Sequence, residues 1–366
     1  MSAAVDAGTE QPAPGRVAGW HPGWLGVVLG TGGAAAASLA DPLPFTRADD
    51  VIGALLTVVA CVLLPVLAVP YALRLRRHRQ ALLADLTHPG MGALFGTLPA
   101  SVLITALALA QLAVIGWLPR ASAWLVLVLL VLGAFGAVLI GVEFFVRVVR
   151  SDTIPAPALS GAWFIPIVVL VLVPSVVVRL VALEPGWRST SAVLAAGATW
   201  GAGLLLFLLL APVLAWRLIT APAPTAAQAP SWWIWLAPAG AGGLGAIALT
   251  RLLDLVLGTE TGGRQTAGLL VATALWGFAT WWALFAGRVL VSLSRSNGGV
   301  PFHLGSWGFA FPTAAMAALT VELGRSWDVP AVGVAGAAGW VATLLVWSRL
   351  AYQTTAGVRS GALFTR

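Results

Sequence analysis

The sequence predicts an all-α polytopic membrane protein, and three observations carry that expectation. Of its 366 residues, 59% are hydrophobic and 9% are charged, more apolar side chain than a water-soluble domain can bury. The apolar residues gather into ten runs, each able to cross ~30 Å of hydrocarbon at about 1.5 Å per residue. The odd-numbered runs carry Gly or Pro near mid-length, and an interrupted backbone at membrane depth survives only beside protein or a water-filled path. The expected architecture is ten transmembrane helices arranged as five repeated helical hairpins. Kinked odd helices line a central pore and even helices stand outside.

Residues 1–18 are small and polar, lack an apolar signal-peptide region, and read as a disordered cytoplasmic tail. The membrane domain covers 19–356, and 357–366 form a short cytoplasmic tail. The runs lie at about 20–40, 51–73, 91–117, 122–148, 160–183, 191–216, 231–256, 267–291, 302–323 and 331–356. Pairs therefore begin near 20, 91, 160, 231 and 302, a period of about 70 residues. The first run is broken by Gly30, Gly32 and Gly33, the third by Pro99, and the fifth by Pro166 and Pro174. Pro238 falls in the seventh and Pro312 in the ninth. The even runs are smoother, although Pro65 and Pro212 fall within two of them. Proline removes a helical N–H donor and pushes aside the carbonyl four residues back. A carbonyl freed in hydrocarbon costs several kcal/mol, so such kinks should face the protein interior. One proline in a membrane helix is ordinary; breakers in every odd run are what point to an inner ring.

Charge sets the orientation. The chain has 20 Arg, no Lys and 13 acids. The net charge of +7 is scattered over short loops and forms no nucleic-acid surface. With the N-terminus in the cytoplasm, that side receives 13 Arg and the other side seven. The positive-inside rule then puts both termini in the cytoplasm of a bacterial inner (plasma) membrane. Within the runs, Glu143 and Arg147, Arg251 and Asp254, and Glu322 and Arg325 are spaced as local helical pairs. Arg179 has no acid at such a spacing and is a candidate for drawing anions into an outer vestibule. The lone Cys61 lies in an apolar run, and the four His form no metal-binding spacing, so neither a metal nor a cofactor is expected. His88, before Pro89, reads as a helix cap. A membrane-embedded enzyme would need clustered acids and His at one face. Asp85, His88 and Asp152 are instead dispersed over the loops.

The segment PFHLGSWGFAFPTAAMAAL (301–319) resembles the ninth-helix signature of the tellurite-resistance/dicarboxylate transporter family. That family includes plant slow-type anion channels, tellurite-resistance permeases, the yeast malate permease and sulfite efflux pumps. GWLGVVLGTGG (23–33), THPGMGALFGTLPAS (87–101), AWFIPIVV (162–169) and WIWLAPAG (233–240) resemble its other odd helices in the same order. The resemblance covers about 20–356. It implies five hairpins around a pore, often in a homotrimer, with small inorganic or carboxylate anions as cargo. It also implies that Phe311 occludes the pore, four residues after Trp307 and two after Phe309, just before Pro312. An aromatic ring in a narrow tube blocks ions by size and dewetting. The expected function is a passive anion channel or transporter with an uncharged pore. The alternative is a proton-coupled C4-dicarboxylate carrier, or a sulfite or tellurite efflux carrier. Proton coupling would need a protonatable pore residue, and none is evident in the sequence.

Overall fold

The computed structural model describes residues 17–221, 225–258 and 262–364, so most of the expected N-terminal tail lies outside the described residues. Among these, all regular structure is helical. Among the described residues, nine helices are long and apolar enough to cross a membrane. They are α2 (Ala48–Arg77), α3 (Pro89–Val114), α4 (Ser122–Val149), α5 (Gly161–Leu183), α6 (Thr190–Thr220), α7 (Ala226–Leu257), α8 (Gly262–Ser296), α9 (Leu304–Ser326) and α10 (Pro330–Arg359). The first apolar run differs from expectation. Its helix α1 (Leu25–Ser38) has 14 residues, preceded by one 3-10 turn, Pro22–Trp24. At 1.5 Å per residue α1 spans only about 21 Å. Twelve of its 14 residues are buried, so surrounding protein, rather than lipid, is its solvent.

Burial sorts the helices into two shells. In the most apolar stretch of α3, α5, α7 and α9, 56–83% of residues are buried, against 17–28% in α2, α4, α6, α8 and α10. The even helices present Leu, Val, Phe and Trp outward, among them Leu132, Phe135, Leu209, Trp281 and Leu345. Such surface is stable only against hydrocarbon or another apolar face. Each of α1, α3, α5, α7 and α9 packs against the helix that follows it, and α9 also packs on α1 and α7.

The prolines act differently from mid-helix kinks. Pro99 is the third residue of the α-helical stretch Thr97–Val114, which follows a 3-10 turn at Leu94–Gly96. Pro166 and Pro174 are second in Ile165–Val168 and Val173–Leu183, each also preceded by a 3-10 turn. Pro238 is third in Leu236–Leu257, and Pro312 third in Ala310–Ser326. First-turn N–H groups have no intrahelical acceptor, so a proline there forfeits no hydrogen bond. The odd segments are thus helices that stop and restart, with the restart at a proline. α1 has no such break: Gly30, Gly32 and Gly33 lie inside a continuous helix and serve close packing.

One polar contact recurs between helices. Trp307, Trp347, Trp340, Trp233, Trp276 and Trp327 donate their indole N–H to Thr354, Thr31, Ser38, Thr313, Thr320 and Thr273, at 2.8–3.0 Å. Each accepting hydroxyl donates in turn to the carbonyl four residues back in its own helix. Both polar groups are satisfied without water, as an apolar surrounding demands.

Candidate functional site: two cavities that meet at Phe311

Two cavities lie end to end inside the inner shell, and α1, α3, α5, α7 and α9 all contribute to both. The narrow one, about 70 Å³, lies toward the end that carries His21 and His303. Its walls are Gly, aliphatic and aromatic residues, with Thr97 the one polar side chain and no ionisable group. The wide one, about 840 Å³, lies toward the end that carries Asp41 and Arg325. Phe311 and Leu172 are the two residues that line both, so these side chains form the partition.

Local sequence positions each of them. Phe311 is the second residue of the helix that restarts after the 3-10 turn Leu304–Phe309, and it is 9% exposed. Its ring lies on α1 at Gly33, where an added Cβ would come within 3.0 Å of Phe311 Cδ2. One turn earlier, the Trp307 indole covers Gly30, where a Cβ would meet its ring at 2.6 Å, and its N–H is held by Thr354. Gly32 points elsewhere, toward Ile104 on α3. Leu172 ends the 3-10 turn Val169–Leu172, directly before the helix of Pro174.

The other sequence-expected positions divide. Gly33, Pro238, Trp307 and Pro312 line a cavity, and Arg179 lines the wide one. Gly30, Gly32, Pro99, Pro166 and Phe309 line neither. Pro99 lies by Gly136 of α4, and the Pro166 backbone lies against Gly96 of α3 and Gly141 of α4. Phe309 tilts against Trp233, ring centroids 6.2 Å apart.

The ion pairs also depart from expectation. Glu143 and Arg147 do pair within α4, at 2.7 Å. Arg251, however, bonds Glu322 of α9, and Asp254 bonds Arg264 of α8 at 2.8 Å. Arg325 reaches Asp41 in the turn after α1, at 3.0 Å. The expected local partners gave way because the helices lie close enough for pairing between segments. Every acid lining the wide cavity is therefore matched, while Arg179 and Arg188 have no carboxylate within ion-pair distance among the described residues. Arg179 donates to the Ser175 carbonyl at 2.7 Å, one turn back. The wide cavity thus carries surplus positive charge and the narrow one none.

Three histidines cap segments at the narrow end. His21, His88 and His303 accept backbone N–H bonds from Gly23, from Gly90 and Met91, and from Gly305. His303 Nε2 also contacts the Ala227 carbonyl at 2.8 Å. Among the described residues no group of His, Cys, Asp and Glu is arranged to hold a metal. Nothing in the residue spacing pointed to the buried Arg74–Asp85 pair, at 2.7 Å, in which Arg74 also donates to the Trp20 and Ala81 carbonyls.

A family profile described as voltage-dependent anion channel matches residues 19–355. The chain belongs to this family. The span matched to the voltage-dependent anion channel family includes the motifs at 23–33, 87–101 and 301–319, all of which lie on cavity-lining segments. An uncharacterized transporter of Methanocaldococcus jannaschii is 27% identical over 349 residues, covering 94% of both chains. A second from that organism is 25% identical, covering 93% of this chain and 95% of its own. A sulfite efflux pump of Trichophyton rubrum is 25% identical over 351 residues, covering 90% of this chain and 88% of its own.

Proposed function

We propose that the protein is a passive anion channel or transporter, gated where Phe311 and Leu172 separate the two cavities. The observation that carries this reading is the pair of adjoining cavities lined by the same five segments and sharing only those two residues. An anion enters the wide cavity, where Arg179 and Arg188 raise its local concentration. It then meets an apolar constriction, which resists ions by dewetting until the ring moves. The narrow cavity has no fixed charge to trap it, and weak sites are what conduction needs.

Sulfite is the first anion to test, because a relative is a sulfite efflux pump. Proton-coupled carriage of a C4-dicarboxylate has less support: no ionisable group lines the narrow cavity, and each acid in the wide one is ion-paired. The excess of Arg at the narrow end supports cytoplasmic termini and a bacterial plasma membrane. The resemblance supports a homotrimer, and the apolar outer faces of the even helices are compatible with subunit contacts as well as lipid.

The test is anion flux in proteoliposomes with Phe311→Ala. The expected result is an increase of about tenfold, equivalent to removing roughly 1.4 kcal/mol of barrier. A mutant that conducts no more than the native protein refutes the gate. Flux driven by a pH gradient alone would favour the coupled carrier.

A further inference from the structure

Arg217 is a buried cation outside the conduit. It lies in the last turn of α6, three residues before Thr220, and is 7% exposed. Its Nε donates to the Ala156 carbonyl at 3.2 Å, while its Nη1 is buried without a hydrogen-bond partner. No carboxylate pairs with it among the described residues. A buried guanidinium left this way is costly, because it has lost water and gained no counter-charge. Arg217 lines a recess of about 20 Å³ between the start of α5, the end of α6 and the start of α7. Ser160, Ser231, Gln228, Trp232 and Trp235 share its walls.

We infer that this recess binds one oxygen of a phosphate group carried by an anionic lipid. A volume of about 20 Å³ holds roughly one water-sized atom, so the recess admits one oxygen and leaves the rest of the anion outside. Arg217 lies within about 5 Å, along the axis, of the helix end, the level at which headgroups sit. Indoles prefer that level, and Trp232 walls the recess. The incoming oxygen supplies the counter-charge that the protein withholds, and Ser160 stands beside it as a further donor. A soluble phosphate offers the same oxygen without acyl chains to hold it there, so the lipid is the stronger ligand. The site is independent of the conduit, and its failure would leave the transport reading untouched.

The experiment measures thermal stabilisation of the full-length protein in detergent by added phosphatidylglycerol, phosphatidylcholine or inorganic phosphate. Native Arg217 should give a rise in melting temperature that is largest with phosphatidylglycerol and absent with inorganic phosphate. Arg217→Gln should weaken the apparent lipid affinity by about tenfold or more, the usual weight of a charge-assisted hydrogen bond. Ser160→Leu fills the recess while leaving Arg217 in the chain, and should abolish the effect even if Arg217→Gln fails to fold. Equal stabilisation of native protein and Ser160→Leu would overturn the inference. So would a response to inorganic phosphate matching that to phosphatidylglycerol, which would make the recess a soluble-anion site.

Discussion

Phe311 rests on α1 because residue 33 has no side chain. A Cβ there would stand 3.0 Å from the ring and 3.3 Å from Phe311 Cα, so the ring must yield. Gly33→Ala should therefore raise anion flux, by less than Phe311→Ala does. Gly32→Ala should leave flux unchanged and lower stability instead, since its Cβ would strike Ile104 at 2.7 Å. Paired flux and thermal-denaturation measurements on the two variants separate these outcomes. Leu172→Ala should also raise flux, and the double variant with Phe311→Ala should depart from additivity, as residues forming one barrier do. The two halves of this partition were unequally legible. Phe311 stands in a Trp-x-Phe-x-Phe pattern carried by resemblance. Leu172 stands in an unbroken aliphatic run where no spacing distinguishes it, and only the helix restart at Pro174 hints at its place.

Restarting helices build the inner shell, and indole-to-hydroxyl bonds tie it mostly to the outer helices α8 and α10. Hydropathy and prolines made the long helices readable, but they could not show that Pro99, Pro166, Pro174, Pro238 and Pro312 fall in first turns while Pro65, Pro70 and Pro212 lie inside helices. That depends on where the preceding turn departs from α-helical geometry. The charge partners were unreadable for a related reason. Spacing along one helix says nothing of a neighbour's side chains, and Arg251, Asp254 and Arg325 all found partners on other segments. The Thr354 hydroxyl, which ties α10 to the Trp307 indole of α9, offers a test of the bonding pattern. Thr354→Val keeps the shape but leaves a buried N–H unpaired, a loss of about 1–3 kcal/mol. The variant should melt at a lower temperature in detergent. Thr355→Val changes an exposed hydroxyl bonded only to its own helix and should change little.

Across the whole molecule the two cavities are asymmetric: the wide one is lined by surplus Arg, while the narrow one has no ionisable lining and the Arg at its end lie outside it. On the proposed reading, an anion in the wide cavity is concentrated directly beside the barrier, whereas the Arg at the narrow end lie outside the narrow cavity and act from farther away. Current through a Phe311→Ala channel in symmetric salt should therefore rectify, with larger anion flow from the wide end. The effect is electrostatic and must fall with screening. The Debye length shortens from about 30 Å at 0.01 M to about 3 Å at 1 M, so rectification should be strong in dilute salt and nearly lost at 1 M. Arg179 sits deeper than Arg188, which is exposed, and solvent screens it less. Arg179→Gln should accordingly reduce rectification more than Arg188→Gln at every salt concentration. Planar-bilayer current–voltage curves on the three proteins decide this, and rectification unchanged by Arg179→Gln would remove that arginine from the path of the anion.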